Sequence, residues 1–147
     1  MVDMSNNIDV AVGILLRQEQ GQMQILIAQR PKESVLGGYW EFPGGKLEPG
    51  EEPARCVERE FVEELGITVR AGQALKAIEH SYPHAKVRLL PYICQWIKGR
   101  IQDIEVDQHR WVTPDALMQY NFPPANHSLI KSLQRDLADM KAPAQPS

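Results

Sequence analysis

Gly45-Lys-Leu-Glu-Pro-Gly-Glu51-Glu52-Pro53-Ala-Arg-Cys56-Val57-Glu58-Arg59-Glu60-Phe61-Val62-Glu63-Glu64-Leu65-Gly66-Ile67 is the stretch around which the rest of the chain arranges itself. Pro53 suits the first turn of a helix, where a missing N–H costs nothing, and Gly66 suits the position just past the end. A helix over about Glu52 to Leu65 is therefore expected. Ala54, Val57, Phe61 and Leu65 recur at helical spacing and form its buried stripe, which places Glu60, Glu63 and Glu64 together on a neighbouring face.

Between Glu51 and Glu64 six glutamates (51, 52, 58, 60, 63, 64) stand against two arginines (55, 59). Like charges at i and i+4 repel on an exposed helix, so a surface face ordinarily interleaves cations. Glu63 has Arg59 four residues earlier. The i±3 and i±4 neighbours of Glu60 are Cys56, Val57, Glu63 and Glu64, and those of Glu64 are Glu60, Phe61, Ile67 and Thr68, so neither has a cation at helical spacing. Two readings stand: a solvated acidic face, the usual meaning of a charge run, or a site for Mg²⁺, which takes oxygen ligands and keeps positions open for water and phosphate. The adjacent Trp40-Glu-Phe-Pro-Gly-Gly-Lys46 favours the second. Its glycines bring backbone carbonyls beside the carboxylates, and Lys46 can reach a phosphate.

Upstream, Val10 to Leu16 and Met23 to Ala28 read as strands joined at Glu19-Gln20-Gly21. Arg30 to Gly50 is crowded with Pro and Gly and reads as a long functional loop. Downstream, Ile67 to Arg70, Ala74 to Tyr82, Lys86 to Ile97 and His109 to Val112 read as strands, Pro91 placing the third of these near an edge or bulge. A short helix is expected after the Thr113-Pro114 cap. A last helix from near Asn126 carries Leu129, Ile130, Leu133, Leu137 and Met140 on one face, and residues 142–147 form a short disordered tail. The expected fold class is α/β with a mixed sheet.

The 147 residues fit one domain, 1–147, with a single core. A net charge of −3 removes the global electrostatic case for coating nucleic acid or an anionic membrane. Two cysteines, Cys56 and Cys94, are too few for a disulfide framework or a four-thiolate zinc site. The segment Met1 to Asn7 lacks the pattern of a signal peptide, and no apolar run approaches a membrane span, so a cytoplasmic location is expected.

Gly45, Glu51 and Arg59 to Ile67 together resemble the 23-residue signature box of the Nudix hydrolases, with every charged and glycine position matched. Phe61 departs mildly, because that position is more often aliphatic in the family. Arg30, Trp40 to Lys46, and Phe122-Pro-Pro-Ala-Asn126 resemble the MutT-like branch, which destroys oxidised guanine nucleotides. The resemblance implies an α/β/α sandwich and hydrolysis of 8-oxo-dGTP to 8-oxo-dGMP and pyrophosphate. The same resemblance implies Mg²⁺, or Mn²⁺ in its place, held by the Gly44 carbonyl, Glu60 and Glu64. It puts Glu63 beside them, next to the ligands rather than on the ion, or on another metal, and Arg59 orienting the glutamates. Glu105, six residues before Trp111, would be a further ligand or the general base, with Asp107 as fallback; an ordinary exposed loop acid is the alternative.

Arg30, Glu41, Phe42, Pro43, Gly44, Lys46 and Asn126 would bind substrate by the same resemblance. Asn126 also sits where a helix begins, so a cap competes with base recognition, for which its amide offers both donor and acceptor. Phe42 and Trp40 could equally be core aromatics. His80 and His84 flank a turn and read as strand-end polar residues rather than a zinc pair. Cys56 and Cys94 lack an adjacent base and read as packing. The implied partner is a small-molecule nucleotide, with neither nucleic acid nor membrane, and monomer and homodimer stay open. The rivals are a Nudix enzyme for another nucleotide, such as CTP or dCTP, and a non-catalytic recognition module like the Nudix-type domain of adenine glycosylases.

Overall fold

Alternation along one strand divides the molecule into layers. In β1 (Asn7–Glu19), Val12, Ile14 and Leu16 point to one face, Ala11 and Leu15 to the other, and all are buried. The first set joins Ile25 and Ile27 of β2 (Gln22–Gln29) in a core closed by Leu129, Ile130 and Leu133 of α2 (His127–Asp136). The second joins Leu26 and Ala28 in a core closed by Val57, Phe61 and Leu65 of α1 (Pro53–Leu65). The result is the α/β/α sandwich the resemblance implies. The computed structural model describes residues 7–140 and 142–146; the expectation for the first six residues, and Ser147 of the tail, lie outside these. Residues 142–146 form no regular element, although Ala142 packs on the core.

The remaining strands are β3 (Trp40–Glu41), β4 (Gly44–Lys46), β5 (Thr68–Ala74), β6 (Ile78–Ser81), β7 (Lys86–Lys98) and β8 (Gln108–Val112). β1 lies parallel to β7, from Asn7↔Lys86 to Leu15↔Cys94, whereas its pairings with β2 and β4 are antiparallel. The mixed sheet is as expected. The β1–β2 turn is two residues, Gln20 and Gly21, both at positive φ (50° and 78°), the twist a tight hairpin requires. Helix α1 runs from Pro53 to Leu65 and stops at Gly66, whose N–H still reaches the Val62 carbonyl at 3.0 Å while its φ of 70° turns the following chain out of the helix. Among the described residues no helix is long and apolar enough to cross a membrane.

Three local expectations need correction and a fourth, at Pro91, is narrowed. The loop 30–50 contains β3 and β4, whose partners are β2 and β1; such non-local pairing leaves no local periodicity. The expected strand 74–82 is broken, since β5 ends at Ala74 and β6 begins at Ile78. Pro91 lies inside β7 and takes the second of its two expected placements, beside a bulge rather than at an edge. It falls where the antiparallel neighbour changes from β6, at Leu89, to β5, at Tyr92, next to a bulge between Ala71 and Ala74. The short helix after Thr113 is a 3₁₀ segment, Pro114–Gln119, with no side-chain cap bond from Thr113.

The departure at Phe61 has a packing explanation. A Cβ on Gly13 would lie 2.3 Å from the Phe61 ring, so the glycine in β1 makes room for the larger side chain.

Candidate active site

Strand β4 pairs with the side of β1 that β7 leaves open, and α1 packs close to both. A Cβ at Gly44 would sit 2.0 Å from the Ala11 carbonyl oxygen, so only glycine permits this approach. At Gly45 a Cβ would fall 2.7 Å from a Glu60 carboxylate oxygen; the glycine leaves a recess that this carboxylate occupies. Beneath the strand the Cys56 thiol donates to the Gly45 and Lys46 carbonyls at 3.4 and 3.6 Å, and burial pushes it up to about 12. Cys94 is likewise pushed up to about 12 by burial. Both thiols are inert packing groups.

Arg59 organises the acidic face. It donates through Nε and Nη2 to both Glu51 oxygens, at 2.7 and 2.9 Å, and through Nη1 to Glu60 at 2.7 Å and Glu63 at 3.2 Å. The Arg59 guanidinium holds Glu51 down to about 2. The expectation that Glu60 lacks a cation is thus corrected. Consecutive helical residues do not face each other, but an arginine anchored at Glu51 folds back far enough to reach Glu60.

Glu64 has no such relief. It is 5% exposed; Oε2 accepts the Gly44 N–H at 3.3 Å, and Oε1 is the buried side-chain polar atom without a partner among the described residues. Burial first, then contact with Glu60 and the nearby Glu41, pushes its carboxyl up to about 10. A buried oxygen without a partner costs free energy, and two carboxylates in contact cost more. A cation held by these carboxylates would offset both costs. The donors are hard oxygens, the recess at Gly45 keeps a Cβ out of the carboxylate's way, and open positions face the cleft, so these residues fit a divalent cation of the Mg²⁺ or Mn²⁺ kind. Among the described residues no three His, Cys, Asp or Glu side chains are arranged as a cage for a metal ion.

The carboxylates open into a cleft of about 830 Å³. Of the twelve residues expected in the site, ten line it: Arg30, Glu41, Phe42, Gly44, Lys46, Arg59, Glu60, Glu64, Glu105 and Asn126. Glu63 does not, because one residue along a helix turns the side chain away from Glu64; it stays half exposed on Arg59. Nor does Pro43, which is buried behind the cleft with its carbonyl accepting the Gly13 N–H at 2.8 Å. Glu105 is delivered by the end of α1, where the Glu64 carbonyl accepts the N–H groups of Ile104 and Glu105, each at 3.1 Å. Asp107 instead accepts the Lys32 N–H at 3.3 Å. Arg30 bridges Glu41 at 3.0 Å and the Val35 carbonyl at 2.8 Å, while burial raises the Glu41 carboxyl above its usual range.

The far end of the cleft is apolar. Ile8 and Val10 of β1 lie beside Val87 and Leu89 of β7, with Phe42 and Tyr82 as walls, none of them singled out by sequence except Phe42. Trp40 packs edge-on against Tyr120 at 5.1 Å and is a core residue. Asn126 is 8% exposed and makes no side-chain capping bond, so the cap reading fails, and the residue lines the cleft. His80 rests edge-on against Tyr82 at 4.5 Å.

Comparison with known proteins bears on this arrangement. The family model described as NUDIX domain matches residues 11–132. An Escherichia coli 8-oxo-dGTP diphosphatase is 31% identical, covering 87% of this chain and 97% of its own. An E. coli CTP pyrophosphohydrolase is 32% identical, over 85% of this chain and 90% of its own. The MutT structure solved for Aliivibrio salmonicida and Vibrio cholerae superposes with a TM-score of 0.68 at 32% identity, covering 88% of this chain and 98% of that one. A match across most of the chain, with relatives aligned over nearly their whole length, leaves one conclusion: this chain belongs to the Nudix hydrolase family.

Proposed function

We propose that this protein, as one Nudix domain, hydrolyses 8-oxo-dGTP to 8-oxo-dGMP and pyrophosphate in a Mg²⁺-dependent reaction, with Mn²⁺ as a substitute. The observation that carries the chemistry is the partnerless buried oxygen of Glu64 beside Glu60, at the mouth of a cleft large enough for a nucleotide.

Glu60, Glu64 and the Gly44 carbonyl would hold the cation, and Arg59 with Glu51 and Glu63 fixes the rotamer of Glu60. When bound, the cation neutralises phosphate oxygens and lowers the pKa of a nearby water. The chain does the rest. Arg30 and Lys46 bind the phosphates, and the Arg30–Glu41 pair keeps that guanidinium in place. Glu105 reaches the cleft on a loop fixed to Glu64, as a further ligand or as the base that takes the proton of the attacking water. Ile8, Val10, Val87, Leu89 and Phe42 exclude water around the base, and the Asn126 amide offers a donor and an acceptor to its altered edge.

The relatives named 8-oxo-dGTP diphosphatase support this substrate, and Phe122-Pro-Pro-Ala-Asn126 supplies the amide that it needs. The relative named CTP pyrophosphohydrolase supports a second reading, a pyrimidine nucleotide in the same pocket. A panel of 8-oxo-dGTP, dGTP, CTP and dCTP, with and without Mg²⁺ and with products resolved, separates them. The proposal expects 8-oxo-dGTP to give the highest kcat/KM, with pyrophosphate as product. CTP or dCTP turned over faster would assign the second reading, and no Mg²⁺-dependent turnover would leave a recognition module.

A further inference from the structure

Asn126 stands on the 3₁₀ turn Pro124–Asn126, which has few bonds of its own. Pro123 and Pro124 have no N–H to contribute. The Asn126 N–H reaches the Pro123 carbonyl at 2.9 Å, and on the outer side His127 Nε2 donates to the Phe122 carbonyl at 3.1 Å. That leaves the N–H of Ala125, a residue 5% exposed, as a first-turn donor with no intrahelical acceptor. Its partner comes from 43 positions away: the Tyr82 hydroxyl accepts it at 3.1 Å.

Tyr82 is itself well fixed. It closes a tight turn, its N–H on the Ala85 carbonyl at 2.8 Å, and its ring meets His80 at 4.5 Å. The residue also lines the cleft.

We propose that Tyr82 is a positioning residue for base selection: its hydroxyl, by accepting the Ala125 N–H, locks the turn that aims the Asn126 amide into the pocket. The Asn126 amide has no capping bond to direct it, so the backbone turn sets its aim. Phenylalanine at 82 would keep the ring and the pocket wall while leaving a buried N–H unpaired. The inference rests on the reading that Asn126 addresses the base.

The test compares wild type, Tyr82→Phe, Asn126→Ala and the double variant. Turnover of 8-oxo-dGTP and dGTP, calorimetric binding of 8-oxo-dGMP, and hydrogen exchange at the Ala125 amide are measured. Tyr82→Phe is expected to raise KM for 8-oxo-dGTP about fivefold, the equivalent of one neutral hydrogen bond. It should keep kcat within about twofold and speed exchange at Ala125. In the Asn126→Ala background the same change should add nothing. Equal losses in both backgrounds, a fall in kcat with KM unchanged, or unaltered exchange at Ala125 would overturn it. If wild type prefers another nucleotide, the base assignment fails by itself. The Tyr82–Asn126 coupling is then read with that nucleotide and its monophosphate, where non-additivity supports the inference and additivity overturns it.

Discussion

Replacing Glu64 with glutamine isolates the charge while keeping the shape. In the metal-free fold Glu64 is pushed up to about 10, chiefly by burial. An unfolded chain ionises it near 4.5, so the sign is unfavourable at neutral pH. The penalty is absent below about 4.5, grows as pH rises, and levels off near 10. From 4.5 to pH 7 the linkage relation makes it on the order of 3 kcal/mol at most. Glutamine carries no charge, and its carbonyl can still accept the Gly44 N–H. The metal-free Glu64→Gln protein should therefore melt several degrees above wild type at pH 7 to 8, at roughly 3 °C per kcal/mol for a chain of this size. The difference should close as pH approaches 4.5. Turnover should fall more than ~100-fold, beyond the cost of losing an outer-sphere partner. Millimolar Mg²⁺ should raise the melting temperature of wild type and leave the variant unmoved. Melting curves across pH, with and without Mg²⁺, supply the assay. A variant that melts below wild type at pH 8, or gains as much from Mg²⁺, would refute the reasoning.

Two further outcomes follow from packing and surface charge. Gly13→Ala should destabilise by about 1–3 kcal/mol in denaturant melts, because its Cβ would lie 2.3 Å from the Phe61 ring, and Phe61→Leu in the same chain should recover part of that loss. Additive losses in the double variant would show that the two residues do not share the space. Asp9 is held below its usual range by the Arg88 guanidinium, bonded at 2.8 and 3.0 Å across β1 and β7. This exposed pair adds a small, salt-screened stabilisation that is fully present above about pH 4. Asp9→Asn should therefore lower stability slightly at pH 7, the loss shrinking as pH falls below 3.8, and a cost independent of pH would assign it to packing.

What the sequence made legible was what depends on neighbours in the chain. Pro53, the apolar stripe and Gly66 delimit α1 because each acts within a turn or two. The recess at Gly45 and the isolation of Glu64 follow from that helix and the adjoining glycines. Arg59 bonding Glu51 eight residues earlier, and folding back on Glu60, was hidden, since helical spacing ranks only i±3 and i±4 partners. The apolar floor was hidden for a larger reason: Ile8 meets Val87, and Val10 meets Leu89, through a parallel pairing that spans 79 residues. No local pattern encodes which residues become neighbours that way. Tyr82 belongs to the same class, a strand-end aromatic whose role depends on a turn 43 positions later.

Calorimetric titration of the wild-type protein with Mg²⁺ and with Mn²⁺, alone and beside a non-cleavable nucleotide analogue, tests most directly whether Glu60 and Glu64 are balanced by a bound dication. Saturable uptake that disappears in Glu64→Gln is the expected result. Absence of uptake at millimolar concentration, even with the analogue bound, would contradict it.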